Sequence, residues 1–296
     1  MLQLKQLTKR RTTMTNISNN YLNLSDGNKM PQQGFGVYKI TDQAEFDQAI
    51  ESAWNHGYRL FDTAQMYKNE QNLGDSLKKL NVPRDEMFIT TKISEANQGY
   101  DGSINSLKES LKKLQMDYVD LLLIHWPINT DFFETWRAFE DIKKSGLAKS
   151  IGVSNYDMVH LQYLATQAHE MPVINQIEVS PLMSQKPMLK FNAENNIITQ
   201  AWSPLGRGKV LNHPTILAVA KDTGKSTAQV ILRWHLQNGI AIIPKSIHDE
   251  RIAQNADIYD FELSTLQMEQ MDSVNTNHRV SKEPELVYEF GEQYPY

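Results

Sequence analysis

Cysteine is absent from all 296 residues. That excludes a disulfide framework, a thiolate zinc centre and a redox thiol, and it fits a reducing, cytoplasmic setting. Long apolar runs are missing too: none approaches the ~18 residues that a membrane-spanning helix needs, so no membrane partner is expected. A basic excess is lacking. The formal net charge is −5, from 30 Lys and Arg against 35 Asp and Glu, opposite in sign to most nucleic-acid-binding domains, so no nucleic acid partner is expected. Eight histidines occur without a single His-x-His pair, and no metal site is expected. The first stretch, "MLQLKQLTKRRTTMTNISNN", carries Lys5, Lys9, Arg10 and Arg11 but no apolar core behind them, so it does not read as a secretory signal. Residues 1–20 are expected to be a disordered leader, and residues 21–296 one domain.

What remains is ordinary globular composition, 40% hydrophobic and 22% charged, with a strong internal rhythm. "YLNLSDGNKMP" places Asp26-Gly27 between two short strand-like runs, a hairpin signal. Apolar strand candidates then follow at 34–40, 58–64, 87–93, 119–125, 150–155, 172–179, 196–204 and 239–246. Helical patterns separate them. Ile104, Leu107, Leu111 and Leu114 share one helix face. Pro214 and Gly224 bracket another helix, and Ser226 with Gln229 forms a capping box for a third. Eight apolar strands alternating with helices predict an α/β fold: a single (β/α)8 TIM barrel with an N-terminal β-hairpin and a C-terminal loop. A doubly wound open sheet would carry a glycine-rich fingerprint at its first turn. "GFGVYK" supplies Gly34 and Gly36 but no third glycine, and "GRGK" lacks the upstream glycine of a Walker loop.

In such barrels the carboxyl ends of the strands carry the active site, and here those ends are polar. They offer Asp62, with Tyr67 on its loop, then Lys92, His125 with Trp126, and Ser154 with Asn155. Gln176, Trp202 with Ser203, and Lys245 with Ser246 complete the ring. Singly, each has a plain structural reading as a satisfied or solvated polar group; together on one rim they describe a chemistry. A tyrosine beside an ammonium is expected to have its pKa lowered into use as a proton donor. Aspartate would hold the lysine, and a neutral histidine would orient a carbonyl oxygen. Side chains cannot donate hydride, so a nicotinamide is needed.

The ordered motifs "FDTAQMYKNE", "FITTKI", "DYVDLLLIHWP", "GLAKSIGVSN", "INQIEVSP", "AWSPLGRG" and "IPKSIHDERIAQNADIYDFELS" resemble the aldo-keto reductases, bacterial glyoxal and diketogluconate reductases in particular, from about Tyr21 to Pro284. The resemblance implies an NADPH/NADP+-dependent carbonyl reductase, acting on a small-molecule carbonyl substrate as a monomer. It implies a catalytic tetrad of Asp62, Tyr67, Lys92 and His125. Ser154, Asn155 and Gln176 would hold the nicotinamide carboxamide. Trp202, followed by Ser203, would stack on the ring, and backbone at Leu205 and Gly206 would approach the pyrophosphate. Lys245, Ser246 and Arg251 would take the 2′-phosphate, with Gln254 and Asn255 near the adenine. Tyr38 and Trp126 would line the substrate pocket. The tail "VYEFGEQYPY" departs from the family pattern, as does Gln254, where many relatives have Glu. A short-chain dehydrogenase would want Tyr-x-x-x-Lys, which no tyrosine here provides.

Overall fold

A computed structural model describes residues 17–290. The leader lies outside the described residues up to position 16, and so do residues 291–296. Ile17–Asn19 form a 3-10 turn and the Ile17 side chain is buried, so structured chain starts ahead of Tyr21. The hairpin follows as β1 (Tyr21–Asn23) and β2 (Lys29–Pro31), antiparallel, with Gly27 at φ 88° in its turn. Asp26 in that turn accepts from the Ser150 hydroxyl at 2.8 Å, fastening the hairpin to the body.

Eight strands form one parallel sheet in chain order: β3 (Gly34–Gly36), β4 (Leu60–Asp62), β5 (Phe88–Ile93), β6 (Val119–Ile124), β7 (Ala148–Ser154), β8 (Ile174–Glu178), β9 (Ile198–Trp202) and β10 (Ala241–Ile242). All eight lie inside the expected strand windows except at the start of β7. The first and last close on each other through a parallel bridge between Gln33 and Ile242, and the Gly36 N–H donates to the Pro244 carbonyl at 3.2 Å. Gly36 serves this seam: a Cβ there would stand 3.0 Å from the Ile243 carbonyl oxygen. The "GFG" run is therefore a barrel-closing device rather than a phosphate loop. Helices cover the outside. Leu107, Leu111 and Leu114 are buried on the helix Tyr100–Leu114, and Ser226 and Gln229 form the expected capping box of Thr227–Gln237. The expected C-terminal loop contains a short helix, Pro284–Phe290. Among the described residues no helix is long and apolar enough to cross a membrane.

The period of two along each strand sorts the core into two layers. Leu122, Ile124, Ile151 and Val153 belong to the large cluster between strands and helices. Leu60, Phe88, Leu121, Leu123 and Ile174 fill the barrel interior, and Leu24 and Met30 of the hairpin region join them. Moving along that inner parity toward the carboxyl ends, Leu60 leads to Asp62, Phe88 to Lys92, Leu123 to His125 and Ile174 to Gln176. The apolar floor thus becomes a polar mouth, and for that reason "LLLIH" ends in an imidazole.

Gly152 of β7 shows how tight the floor is. A Cβ there would lie 2.5 Å from Ile174 Cγ2, 2.8 Å from the Ile174 carbonyl oxygen and 2.9 Å from Leu123 Cδ2. Gly152→Ala should lower unfolding stability by about 1–3 kcal/mol through overpacking, read as a lower urea midpoint at constant m. An unchanged midpoint would show that the interior has slack.

Candidate active site

Asp62 closes β4 and is 1% exposed; Lys92 on the neighbouring β5 is fully buried. Their ion pair is 2.5 Å long. The other Asp62 oxygen accepts from Gln176 Nε2 at 2.8 Å, and Lys92 also donates to the Thr63 carbonyl at 2.9 Å. Its third direction meets the Tyr67 hydroxyl at 3.5 Å, so each ammonium donor has an acceptor. Tyr67 stands on the 3-10 turn Gln65–Tyr67. Gln65 Oε1 pins that turn by accepting from the Ser94 N–H at 3.0 Å and Asn97 Nδ2 at 2.9 Å. The His125 ring meets the Tyr67 ring edge-on at 5.7 Å, and the Tyr38 ring, on an exposed residue, lies 4.8 Å from Tyr67.

The electrostatics correct one expectation. Burial, then the Asp62 charge, then Tyr38 hold the Tyr67 phenol well above its ordinary pKa of 10, where the sequence reading has Lys92 lowering it. Burial is the largest cause, and the Asp62 charge adds to it. Burial also pulls Lys92 below its usual range, against the opposing pull of Asp62. His125 is held well below the usual 6.5 by burial and by the charges of Lys92 and Lys282. It is neutral at physiological pH, and its Nδ1 is buried with no partner among the described residues.

A polar chain runs from here around the mouth. Ser154 Oγ donates to the Gln176 carbonyl at 2.7 Å, and Asn155 Nδ2 donates to the His125 carbonyl at 2.9 Å. Trp202 Nε1 donates to Asn155 Oδ1 at 2.9 Å. Asn155 sits at φ 61°, a conformation that asparagine tolerates. Gln176 also reaches Gln200 at 2.7 Å.

These groups face one cavity of about 490 Å³. Its wall takes Asp62, Tyr67 and His125 from the expected tetrad, with Lys92 beneath them. It takes Ser154, Asn155, Gln176, Trp202, Ser203, Leu205 and Lys245 from the expected cofactor set, and Tyr38 and Trp126 from the expected substrate set. Gly206 is buried behind Leu205 at φ 55°. The rest stand apart. Ser246 is buried and accepts from the His248 N–H at 3.1 Å, and the buried Asn255 gives its carbonyl to Gln33 at 2.8 Å. Arg251 and Gln254 are exposed on the helix Asp249–Ala256, Arg251 in a separate depression beside His248 and Glu250.

Sequence reasoning missed Lys39, Arg207, Ser281 and Lys282 on the cavity wall, and Gln200 beside it. Gln200 was findable, because it alternates with Ile198 and Trp202. Lys282 carried no signal: "SKEPEL" has no strand or helix period that ties it to the barrel mouth. Among the described residues, no cluster of three or more His, Asp or Glu side chains could hold a metal ion.

A closed parallel barrel whose polar mouth sets a tyrosine against a buried Asp–Lys pair is the frame of a barrel oxidoreductase. The comparisons with known proteins give the family. The model of the aldo/keto reductase family matches residues 33–276, and the chain belongs to that family. It is 42% identical to the glyoxal reductase of Bacillus subtilis over 266 residues, 90% of this chain and 96% of that protein. It is also 42% identical to methylglyoxal reductase DkgA of Escherichia coli K12 over 268 residues, 89% and 96% of the two chains. The crystal structure of a Bombyx mori aldo-keto reductase in complex with NADP superposes with a TM-score of 0.86 at 36% identity, covering 91% of this chain and 97% of that one.

The buried pair yields a stability prediction. Lys92→Met should cost about 3–5 kcal/mol, because the Asp62 charge is left buried without its counter-ion. Adding Asp62→Asn should recover part of the loss. Urea unfolding of the single and double variants checks this, and equal stabilities would mean that water reaches Asp62.

Proposed function

We propose that the protein is an NADPH-dependent carbonyl reductase in which Tyr67 delivers the proton. The observation that carries this reading is the convergence of the Tyr67 hydroxyl, Lys92, Asp62 and His125 at the floor of one cavity. The cavity also fits a dinucleotide. Trp202 offers a half-buried indole fixed through Asn155, and Ser154, Asn155 and Gln176 form a polar edge beside it. Leu205 and Arg207, with Gly206 and Gly208 in left-handed backbone, turn the chain close to the cavity. Lys39 and Lys245 stand on the same wall as counter-charges for phosphate. Arg251 and Ser246 lie farther round, at the start of the helix Asp249–Ala256, and are assigned to the 2′-phosphate; Gln254 and Asn255 are assigned to the adenine side.

A bound reduced nicotinamide supplies the hydride that Tyr67 and its neighbours cannot. The chain's own groups do the rest. Neutral His125 donates a hydrogen bond to the substrate carbonyl oxygen without adding charge, and Tyr38 and Trp126 bound the space in which the carbonyl turns. Tyr67 keeps its proton across neutral pH because burial and Asp62 raise its pKa. An alkoxide is a far stronger base than a phenolate. Transfer from Tyr67 therefore becomes downhill as negative charge develops on oxygen, and not before. The Lys92 ammonium then stands 3.5 Å from the new phenolate, with Asp62 holding it charged. Small carbonyls of the glyoxal and methylglyoxal type suit the cavity and the names of the two bacterial relatives.

Tyr67→Phe should lower the rate of methylglyoxal reduction by ~10²–10⁴ through loss of general-acid catalysis, with NADPH binding nearly intact. A parent-like rate in the Phe variant would remove Tyr67 from the mechanism. Arg251→Ala should weaken NADPH by roughly 10- to 150-fold, the size of one charge-assisted contact, and leave NADH nearly unchanged. Tryptophan fluorescence titrations measure both, and equal effects on the two cofactors would move the 2′-phosphate elsewhere.

A further inference from the structure

The Asp62 carboxylate is shared. Lys92 holds its Oδ1, and Gln176 Nε2 donates to its Oδ2 at 2.8 Å. Gln176 Nε2 also donates to Gln200 Oε1 at 2.7 Å. The strands set up this row, because Gln176 of β8 and Gln200 of β9 are register partners. All three side chains are buried. Asp62 and Gln176 line the cavity, and Gln200 is not on its wall.

The polarity of the row is forced. A carboxylate only accepts, so Gln176 must turn its NH2 toward Asp62. Gln200 must then turn its oxygen toward Gln176. That leaves Gln200 Nε2 buried with no partner among the described residues, a cost that an apolar side chain would avoid. The Gln176 backbone is fixed separately, its carbonyl accepting from Ser154 Oγ at 2.7 Å and from the Asn155 N–H at 3.0 Å. Its side-chain amide is aimed by the two acceptors. With both amide hydrogens committed, Oε1 is the atom that Gln176 offers a ligand. Two acceptors drawing on one amide also polarise that oxygen.

We propose that Gln200 is a positioning residue for the cofactor: it completes the aim of Gln176 Oε1, which accepts from the N–H of the nicotinamide carboxamide. This inference rests on the reading that Gln176 meets that carboxamide. Asp62 alone would let the amide pivot about one hydrogen bond; Gln200 fixes its plane. The preference for a carboxamide on the ring is therefore set in part by a residue that touches no ligand.

The probe is reduced 3-acetylpyridine adenine dinucleotide phosphate, in which a methyl group replaces the carboxamide NH2. Quenching of tryptophan fluorescence gives its Kd and that of NADPH. The parent should favour NADPH by about tenfold, the size of one polarised hydrogen bond. Gln200→Met removes the acceptor at nearly constant volume, and Gln200→Asn keeps an amide one methylene too short. Either should cut the preference at least roughly threefold. Gln200→Glu, which keeps an oxygen at the same reach, should retain most of it. In a Gln176→Met background, Gln200→Met should change the preference no further. A parent-like preference in the Met and Asn variants overturns the role of Gln200 and leaves the carboxamide reading intact. So does a loss that persists in the Gln176→Met background, or an equal loss in Gln200→Glu. A parent with no preference at all overturns the carboxamide reading itself, and the role of Gln200 falls with it.

Discussion

The Asp62–Lys92 pair is the constraint around which the barrel mouth is arranged. Two opposite charges fully out of water are costly unless every remaining donor and acceptor is met. Here Gln176, the Thr63 carbonyl and the Tyr67 hydroxyl meet them. Each of those groups comes from a different place in the chain, so satisfying one ion pair fixes β4, β5, β8 and the turn that carries Tyr67 relative to one another. The same demand sets the reactivity of the site. Burial first and the Asp62 charge second hold the Tyr67 phenol above its ordinary range; in the proposed mechanism the ammonium acts as a counter-charge only once that proton has gone.

This mouth is possible because the opposite end of the barrel is sealed by ordinary packing. The hairpin region contributes Leu24 and Met30 to an interior of Leu60, Phe88, Leu121 and Val173. Structural ion pairs also gather on that side of the strands. Asp120, for example, binds Arg84 at 2.7 Å and Lys149 at 3.0 Å and accepts the Ile89 N–H. The inner parity of each strand thus runs from packing to chemistry, and only the last inward residue or two of a strand meet the cavity.

The strands, their number and their parallel order were readable because each is a continuous apolar run with a helix period on either side. The gathering of Asp62, Tyr67, Lys92 and His125 at the mouth was readable for a related reason: strand ends in a barrel are a place that sequence can name. Two kinds of feature were not. Tyr67 has its acidity set by burial together with the Asp62 and Tyr38 charges, all acting in one direction, and only the folded arrangement shows that. Lys282 reaches the cavity through a segment whose course depends on Glu178 accepting one backbone N–H. A long-range contact of that kind leaves no local period. The residues that the resemblance implies for the cofactor's phosphate and adenine end fall between these cases. Lys245 lines the cavity, whereas Arg251 and Gln254 stand outside it on an exposed helix, because a short loop carries the chain around the rim after β10.

The barrel's closing seam carries a thermodynamic consequence. The strand β10 has two residues, and a single bridge joins its Ile242 to Gln33. Lys39 lies just beyond one side of that junction and Lys245 just beyond the other, and both face the cavity. A ligand held by both lysines therefore staples the first strand to the last. Such a ligand binds the closed barrel and not the opened one, so its binding free energy adds to the stability of the whole fold by mass action. Occupancy of the cavity and integrity of the cylinder are two readings of one equilibrium.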